Sequence, residues 1–199
     1  DAGAPVTRDG APPASDPAGG EDALAALLAD AEERTLELSV GTPGERGSYL
    51  ARFSDRGGAL IELRLGDSWD SPDLTAEERA RPEHWTHLVD SIPVDRRIDA
   101  SWGRRADTGS LVLRATDAAL EPVPLDAVPW AMRELRPEGA LGPGVAFELV
   151  TPAGLVYTKT VRFRPGTYEL DLELGIENRS REIAGPVQFQ MTPAAIVPL

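Results

Sequence analysis

The stretch LVYTKTVRFRPGTYELDLELGIEN, residues 155–178, decides the fold of this chain. Apolar side chains fall at every second position on both sides of its centre: Leu155, Tyr157, Val161 and Phe163, then Tyr168, Leu170, Leu172, Leu174 and Ile176. Successive side chains of a β-strand point to opposite faces, so this alternation predicts two half-buried strands. Between them, Arg164-Pro165-Gly166-Thr167 predicts a tight turn, because proline presets φ and glycine tolerates a positive φ. The stretch is therefore predicted to be a β-hairpin.

The second arm of this hairpin carries acidic residues between its apolar ones, namely Glu169, Asp171, Glu173 and Glu177. Such a face stays in water and resists edge-to-edge association. We interpret these residues as a solvated strand face and not as a catalytic pair, because no second feature singles out any two of them.

Two stretches carry a family resemblance. One is the hairpin, with Tyr157-Thr158-Lys159-Thr160-Val161-Arg162-Phe163, a short Arg-Pro-Gly-Thr-Tyr turn, and a strand that ends in Glu177-Asn178. The other is FSDRGGALIELRL, residues 53–65, a strand, a Gly-Gly pair and a second strand. In this order, and with the predicted strand 145–150 before the hairpin, they resemble the large periplasmic domain of YidC-type membrane protein insertases. The resemblance covers about a third to a half of the chain.

The composition limits the classes of function. Of 199 residues, 33 are acidic and 20 are Lys or Arg, which gives a net charge of −13. This balance argues against nucleic acid or an anionic membrane surface as the main partner. The sequence contains no Cys, which excludes disulfides and sulfur-based zinc sites. No run approaches the roughly 20 apolar residues that span a bilayer.

The first half of the chain predicts a tail, a helix and three strands. Residues 1–20 are rich in Ala, Pro, Gly and Asp and predict a disordered linker. Residues 21–33 predict a short helix with one apolar stripe. Alternating apolar residues predict strands at 36–40, 49–53 and 59–65, and Gly57-Gly58 permits a tight reversal between the last two.

The pattern is irregular between residues 66 and 99. Thr75 and Glu78 form a capping box, which predicts a short helix from Ala76 to about Arg81. His84 and His87 are the only histidines, and no carboxylate accompanies them at a recognisable ligand spacing. We therefore expect a structural or solvent-exposed role for both.

The remaining segments complete a β-rich pattern. We predict strands at 110–115, 145–150 and 187–191, the last with Val187, Phe189 and Met191 on one face. Five prolines between residues 117 and 143 argue against a central strand there, and we expect a helical turn within 127–136, around Trp130, to cover one end of the core. About eight to ten short strands predict an all-β, mainly antiparallel sandwich.

No catalytic, cofactor-binding or metal-binding residue is predicted. The sequence lacks a nucleophile elbow and a phosphate-binding loop, and no Ser/His/Asp set is recognisable. An alternative is a carbohydrate-binding or aldose-epimerase-like module, with stacking platforms from Trp69, Trp85, Trp102 and Trp130. We prefer core packing for these side chains, and the binding residues stay unknown.

The resemblance implies a more specific picture. We expect a β-supersandwich of galactose mutarotase-like type with short peripheral helices over residues 21–199, extended in the family by further C-terminal strands. The family domain is non-catalytic and lies at the periplasmic face of the bacterial inner membrane. Its partners are taken to be Sec translocon components and nascent membrane proteins. An extended polypeptide is expected to pair with an exposed strand edge, at 187–191 or at the hairpin.

Overall fold

The structure is a computed structural model that describes residues 32–90, 92–93, 107–108, 111, 113–116, 122–123, 125–152, 154–179 and 188–191. The predicted linker 1–20 and residues 21–31 of the predicted helix lie outside the described residues. Glu32 and Glu33, at the end of that predicted helix, have no regular secondary structure.

Antiparallel strands dominate the described residues. The first sheet has the order β1 (Thr35–Val40), β2 (Tyr49–Ser54), β3 (Ala59–Trp69), β4 (Trp85–Asp90). A pair of short strands follows, β5 (Ile92–Pro93) with β6 (Asp107–Thr108). The second sheet contains β9 (Ala131–Leu135), β10 (Gly144–Val150), β11 (Leu155–Phe163) and β12 (Leu170–Asn178), in the order β12-β11-β10-β9. The third sheet contains β7 (Leu113–Thr116), β8 (Pro122–Val123) and β13 (Gln188–Met191), in the order β13-β7-β8. Helical structure is limited to α1 (Ala76–Arg79) and a 3-10 turn (Pro82–His84) in the described part of the chain.

The first two sheets pack face to face around an aromatic core. The ring of Tyr49 on β2 lies 5.5 Å from that of Phe163 on β11, and Phe53 lies 6.0 Å from Phe147 on β10. One hydrophobic cluster joins both sheets, and Leu111 and Leu113 extend it to the third. The prediction of an all-β antiparallel sandwich is confirmed.

The hairpin forms as predicted. Strands β11 and β12 pair from Leu155 opposite Asn178 to Phe163 opposite Leu170. At the turn, the Thr167 amide donates to the Arg164 carbonyl (3.3 Å), and Gly166 has a φ of +74°. The apolar face of β12 is less buried than the alternation predicts, since Ile176 is 43% exposed. The reason is that β12 is an edge strand, with β11 as its only partner among the described residues.

Residues 66–90, within the stretch where the sequence pattern is irregular, contain the end of β3, a short helix and strand β4. Strand β3 continues to Trp69, and β4 pairs with it as the fourth strand of the first sheet. The pairing shifts register between Leu63 and Arg64 and again between Leu65 and Trp69. These irregularities disturb the two-residue period, so the sequence pattern missed the strand. The capping box at Thr75 and Glu78 is confirmed, with α1 starting at Ala76.

Two predictions in the second half were wrong in detail. Residues 127–136 contain no helical turn; they contain β9, which pairs with β10. Because β9 ends the sheet in the described part of the chain and its five residues include no proline, the flanking Pro129 and Pro137 do not interrupt it. The strand predicted at 110–115 corresponds to β7 from Leu113 on, but Leu111 is not part of it and has a left-handed φ of +61°. Residues 110 and 112 lie outside the described residues. The strands predicted at 145–150 and 187–191 correspond to β10 and β13.

Candidate functional site

A cavity of about 160 Å³ lies between the first two sheets, on the side where β4 and β12 form their edges. Its lining is almost wholly apolar: Tyr49, Leu60, Leu63, Leu88, Val89, Leu111, Phe163, Tyr168, Glu169 and Leu170. The cavity reaches the surface at Tyr168 and Glu169, whose side chains are exposed. Apolar cavities of roughly 150 Å³ can accept a benzene molecule. This cavity is therefore large enough for one aromatic ring or one branched aliphatic group.

Tyrosine contacts fix the mouth of the cavity. The Tyr168 hydroxyl donates to the Asp67 carboxylate on β3, and this hydrogen bond raises the pKa of Tyr168. The Tyr168 ring lies edge-on to Tyr49 at 6.2 Å, and the Arg46 guanidinium lies 5.5 Å from its centre. The Tyr49 hydroxyl donates to the Thr167 carbonyl, and burial raises the pKa of Tyr49 to about 12. The hairpin turn is thus fastened to the first sheet beside the mouth.

The outer face of β12 is acidic, as the sequence predicts. The Arg164 guanidinium pairs with the Asp171 carboxylate through two hydrogen bonds of 2.8 and 2.9 Å. Arg179 pairs with Glu177 at 2.7 Å. Each pairing lowers the pKa of its carboxyl group. Glu173 is exposed and has no basic side chain within 4 Å among the described residues. Among the described residues, the outer face of β12 therefore carries a net negative charge.

A buried lysine lies in the centre of the core. Lys159 on β11 is 0% exposed, and its Nζ donates to the backbone carbonyls of Leu111 at 2.7 Å and Gly57 at 3.2 Å. The rings of Phe147 and Trp130 lie 5.1 and 5.5 Å from the same nitrogen. Lys159 of the second sheet thus connects Gly57, in the β2–β3 turn, with Leu111, which lies two positions before β7.

The environment of Lys159 disfavours its charge. Burial lowers the pKa of Lys159 from 10.5 to about 7. Lys159 is the only lysine in the sequence, and the inward face predicted for the hairpin does not include it. The signal was present, since position 159 is in phase with the buried Tyr157 and Val161.

The histidines lie near different carboxylates. His84 Nδ1 is 3.8 Å from Asp70, and His87 Nε2 is 4.0 Å from Glu62. Their side chains are 31% and 38% exposed. Within the described ranges, no group of three or more His, Cys, Asp or Glu side chains is placed to hold a metal ion.

Two of the three tryptophans in the described ranges offer little stacking surface. Trp85 and Trp130 are buried, at 4% and 2% exposure, and the Trp130 indole donates to the Leu125 carbonyl. Trp69 lies 4.9 Å from the Arg79 guanidinium. Trp102 lies outside the described residues.

Strand β13 is the second edge predicted to pair with a peptide. It pairs with β7 on one side and ends the third sheet in the described part of the chain. Phe189 on this strand is 55% exposed, whereas Met191 packs against the core. Val187 lies outside the described residues. Unlike β12, this edge does not adjoin the cavity.

Comparison of the chain with protein-family models, curated proteins and solved structures finds no match. No helix in the described ranges has the length and apolar character needed to cross a membrane. The geometry itself provides an apolar cavity beside a strand edge with acidic side chains, an arrangement suited to binding.

Proposed function

We propose that this chain is the periplasmic domain of a YidC-type insertase. In this proposal the domain is non-enzymatic, lies at the periplasmic face of the bacterial inner membrane, and assists the insertion and folding of membrane proteins. Its partners are Sec translocon components and nascent membrane proteins.

One contact carries the proposal. The two stretches that resemble the insertase family are about a hundred residues apart in the sequence, yet they meet in the core. The Lys159 ammonium of the hairpin donates to the Gly57 carbonyl of the Gly-Gly turn at 3.2 Å. The neighbouring Gly58 has a φ of +55°, and a Cβ there would lie 3.0 Å from the Phe147 ring and 3.2 Å from Lys159 Cε. The lysine and the glycines are thus parts of one structural unit, which supports a common origin for both resemblances.

The cavity and the β12 edge support contact with polypeptide. Extended segments bind sheet edges through main-chain hydrogen bonds, and pockets for alternate side chains supply selectivity. Both elements are present at the side where β4 and β12 form the sheet edges. By contrast, a sugar-binding role is not favoured by Trp85 and Trp130, whose rings are buried and cannot stack on a ligand.

The parent reading frame tests the assignment directly. A hydropathy scan is expected to find one transmembrane helix before residue 1 and about five after residue 199, with an Arg in a downstream helix that faces a polar groove. A secretory signal before residue 1 and a stop codon shortly after residue 199 would refute the assignment.

A further inference from the structure

We infer that the cavity and the β12 edge together bind one extended peptide strand in which bulky apolar residues alternate with Lys or Arg. This inference rests on the proposed contact with polypeptide and specifies the class of segment that is bound. Its main chain pairs with β12, one apolar side chain enters the cavity, and the basic side chains lie along the acidic face.

The edge supplies the main-chain partner. Strand β12 has nine residues, Leu170–Asn178, and pairs with β11 along its whole length. Its opposite side has no strand partner among the described residues. An added strand would continue the antiparallel sheet, and alternate side chains of that strand would point toward the first sheet.

The cavity supplies a site for one of these inward side chains. Leu88 and Val89 of β4 line one wall, and Tyr168 and Leu170 line the other. A strand beside β12 would lie opposite β4, so its inward side chains would enter the gap between these two edges. A volume of about 160 Å³ suits a Leu or Phe side chain. Polar or charged side chains would lose hydration there without gaining partners.

Charge determines the preferred outward side chains. The outer face of β12 presents Glu169, Asp171, Glu173 and Glu177. Arg164 and Arg179 pair closely with two of these carboxylates, and Glu173 has no basic neighbour within 4 Å in the described ranges. Cross-strand neighbours of opposite charge stabilise a sheet, and like charges destabilise it. Lys or Arg is therefore favoured opposite Glu173, and Glu or Asp is disfavoured.

Three synthetic peptides of about nine residues test the side-chain pattern by calorimetry with the 199-residue chain. The first alternates Leu and Lys, the second replaces each Leu by Ala, and the third replaces each Lys by Glu. We expect measurable binding of the first peptide and at least about tenfold weaker binding of the other two. Equal affinity for all three peptides, or binding of none, would overturn the inference.

Matched variants locate the binding site. Leu88→Trp fills the cavity and is expected to weaken binding of the Leu-Lys peptide by about tenfold or more, whereas Val150→Trp, at an exposed site outside the cavity lining, leaves it unchanged. Glu173→Lys is expected to weaken binding several-fold, and Glu134→Lys, on β9 at the opposite edge of the same sheet, is its control. Equal effects within either pair contradict the site. If Leu88→Trp does not fold, the comparison of Glu173→Lys with Glu134→Lys still tests the site.

The two proposals fail separately. If the parent reading frame has the expected transmembrane helices but the peptides do not bind, the insertase assignment stands and the peptide site is refuted. If the peptides bind with the expected pattern but no transmembrane helices flank the domain, the site stands and the insertase assignment is refuted.

Discussion

The substitution Lys159→Met tests the buried lysine through the pH dependence of stability. Methionine has a similar length and no charge, so the variant removes the titrating group and keeps most of the packing. It also leaves the carbonyls of Gly57 and Leu111 without their donor, at a cost of about 1–3 kcal/mol each. This cost offsets the stability that the variant gains because it no longer buries an ammonium group. The ionisation of Lys159 is therefore measured by the slope of the unfolding free energy against pH, and not by the unfolding free energy at one pH.

The magnitude follows from the lowered pKa. Burial lowers the pKa of Lys159 to about 7 in the folded state, against 10.5 for the free side chain. Between these values the unfolded chain holds more protons than the folded chain, so the free energy of unfolding rises with pH. The limiting slope is about 1.4 kcal/mol per pH unit. Because the folded state is half protonated near pH 7, the expected rise from pH 7 to pH 9 is about 2 kcal/mol.

Urea unfolding at pH 7, 8 and 9 measures this rise, with the fluorescence of the buried Trp85 and Trp130 as the signal. The wild-type protein is expected to gain about 2 kcal/mol over this range relative to Lys159→Met. Contributions from other groups are common to both proteins and cancel in the difference. Since Lys159 is the only lysine, side-chain NMR of the wild-type protein gives its pKa without any variant. Equal slopes in the two proteins, or a lysine pKa above 10, would refute the reasoning.

Three further predictions concern the hairpin and the core. Burial raises the pKa of Tyr49 to about 12, burial also raises that of Tyr157, and the hydrogen bond to Asp67 raises that of Tyr168. Ultraviolet titration is therefore expected to show tyrosine ionisation shifted above pH 10; ionisation of all three near pH 10 would contradict this. Gly47→Ala is expected to destabilise the protein by more than about 1 kcal/mol, because φ is +71° and the new Cβ would lie 2.5 Å from the Thr167 backbone. Gly139→Ala is the control for the positive φ alone, since open space surrounds that position, and equal melting temperatures of the two variants would disprove the contact. Phe53→Ala is expected to cost about 3–5 kcal/mol in urea unfolding, since Phe53 is 0% exposed, and a loss below about 1 kcal/mol would contradict its place in the core.

The alternation of apolar residues was sufficient to predict the regular strands. Strands β1, β2, β10, β11 and β12 lie within one or two residues of their predicted positions. In these strands the two-residue apolar period is interrupted only at Lys159, and Gly or Pro marks the turns. Strand β4 escapes prediction because the register shifts near Leu63 and Leu65 interrupt the two-residue period that predicts a strand. Strand β9 escapes prediction because nearby prolines argue against a central strand, although strands at a sheet edge tolerate such neighbours.

The candidate site was only partly predictable. The acidic face and the exposed edge of the hairpin follow from local alternation, which the sequence displays directly. The cavity depends on how far apart β4 and β12 lie, and this distance is set by the packing of Tyr49, Leu63 and Phe163 across the two sheets. No local pattern contains this information, since the contributing residues of the two sheets are far apart in the sequence, as Tyr49 and Phe163 are.

Lys159 also explains why the register of β11 is strongly specified. In the observed register Lys159 lies opposite Phe147 on β10 and Leu174 on β12, and its ammonium satisfies two buried carbonyls. A slip by one residue would turn Lys159 to the outer face, bring Thr158 and Thr160 into the core, and leave both carbonyls without a donor. An all-apolar strand would lose only packing in such a slip, whereas this strand also loses two buried hydrogen bonds. The single lysine thus adds to the free-energy gap between the native pairing and its nearest competitor, even though its burial lowers the stability of the native state at neutral pH.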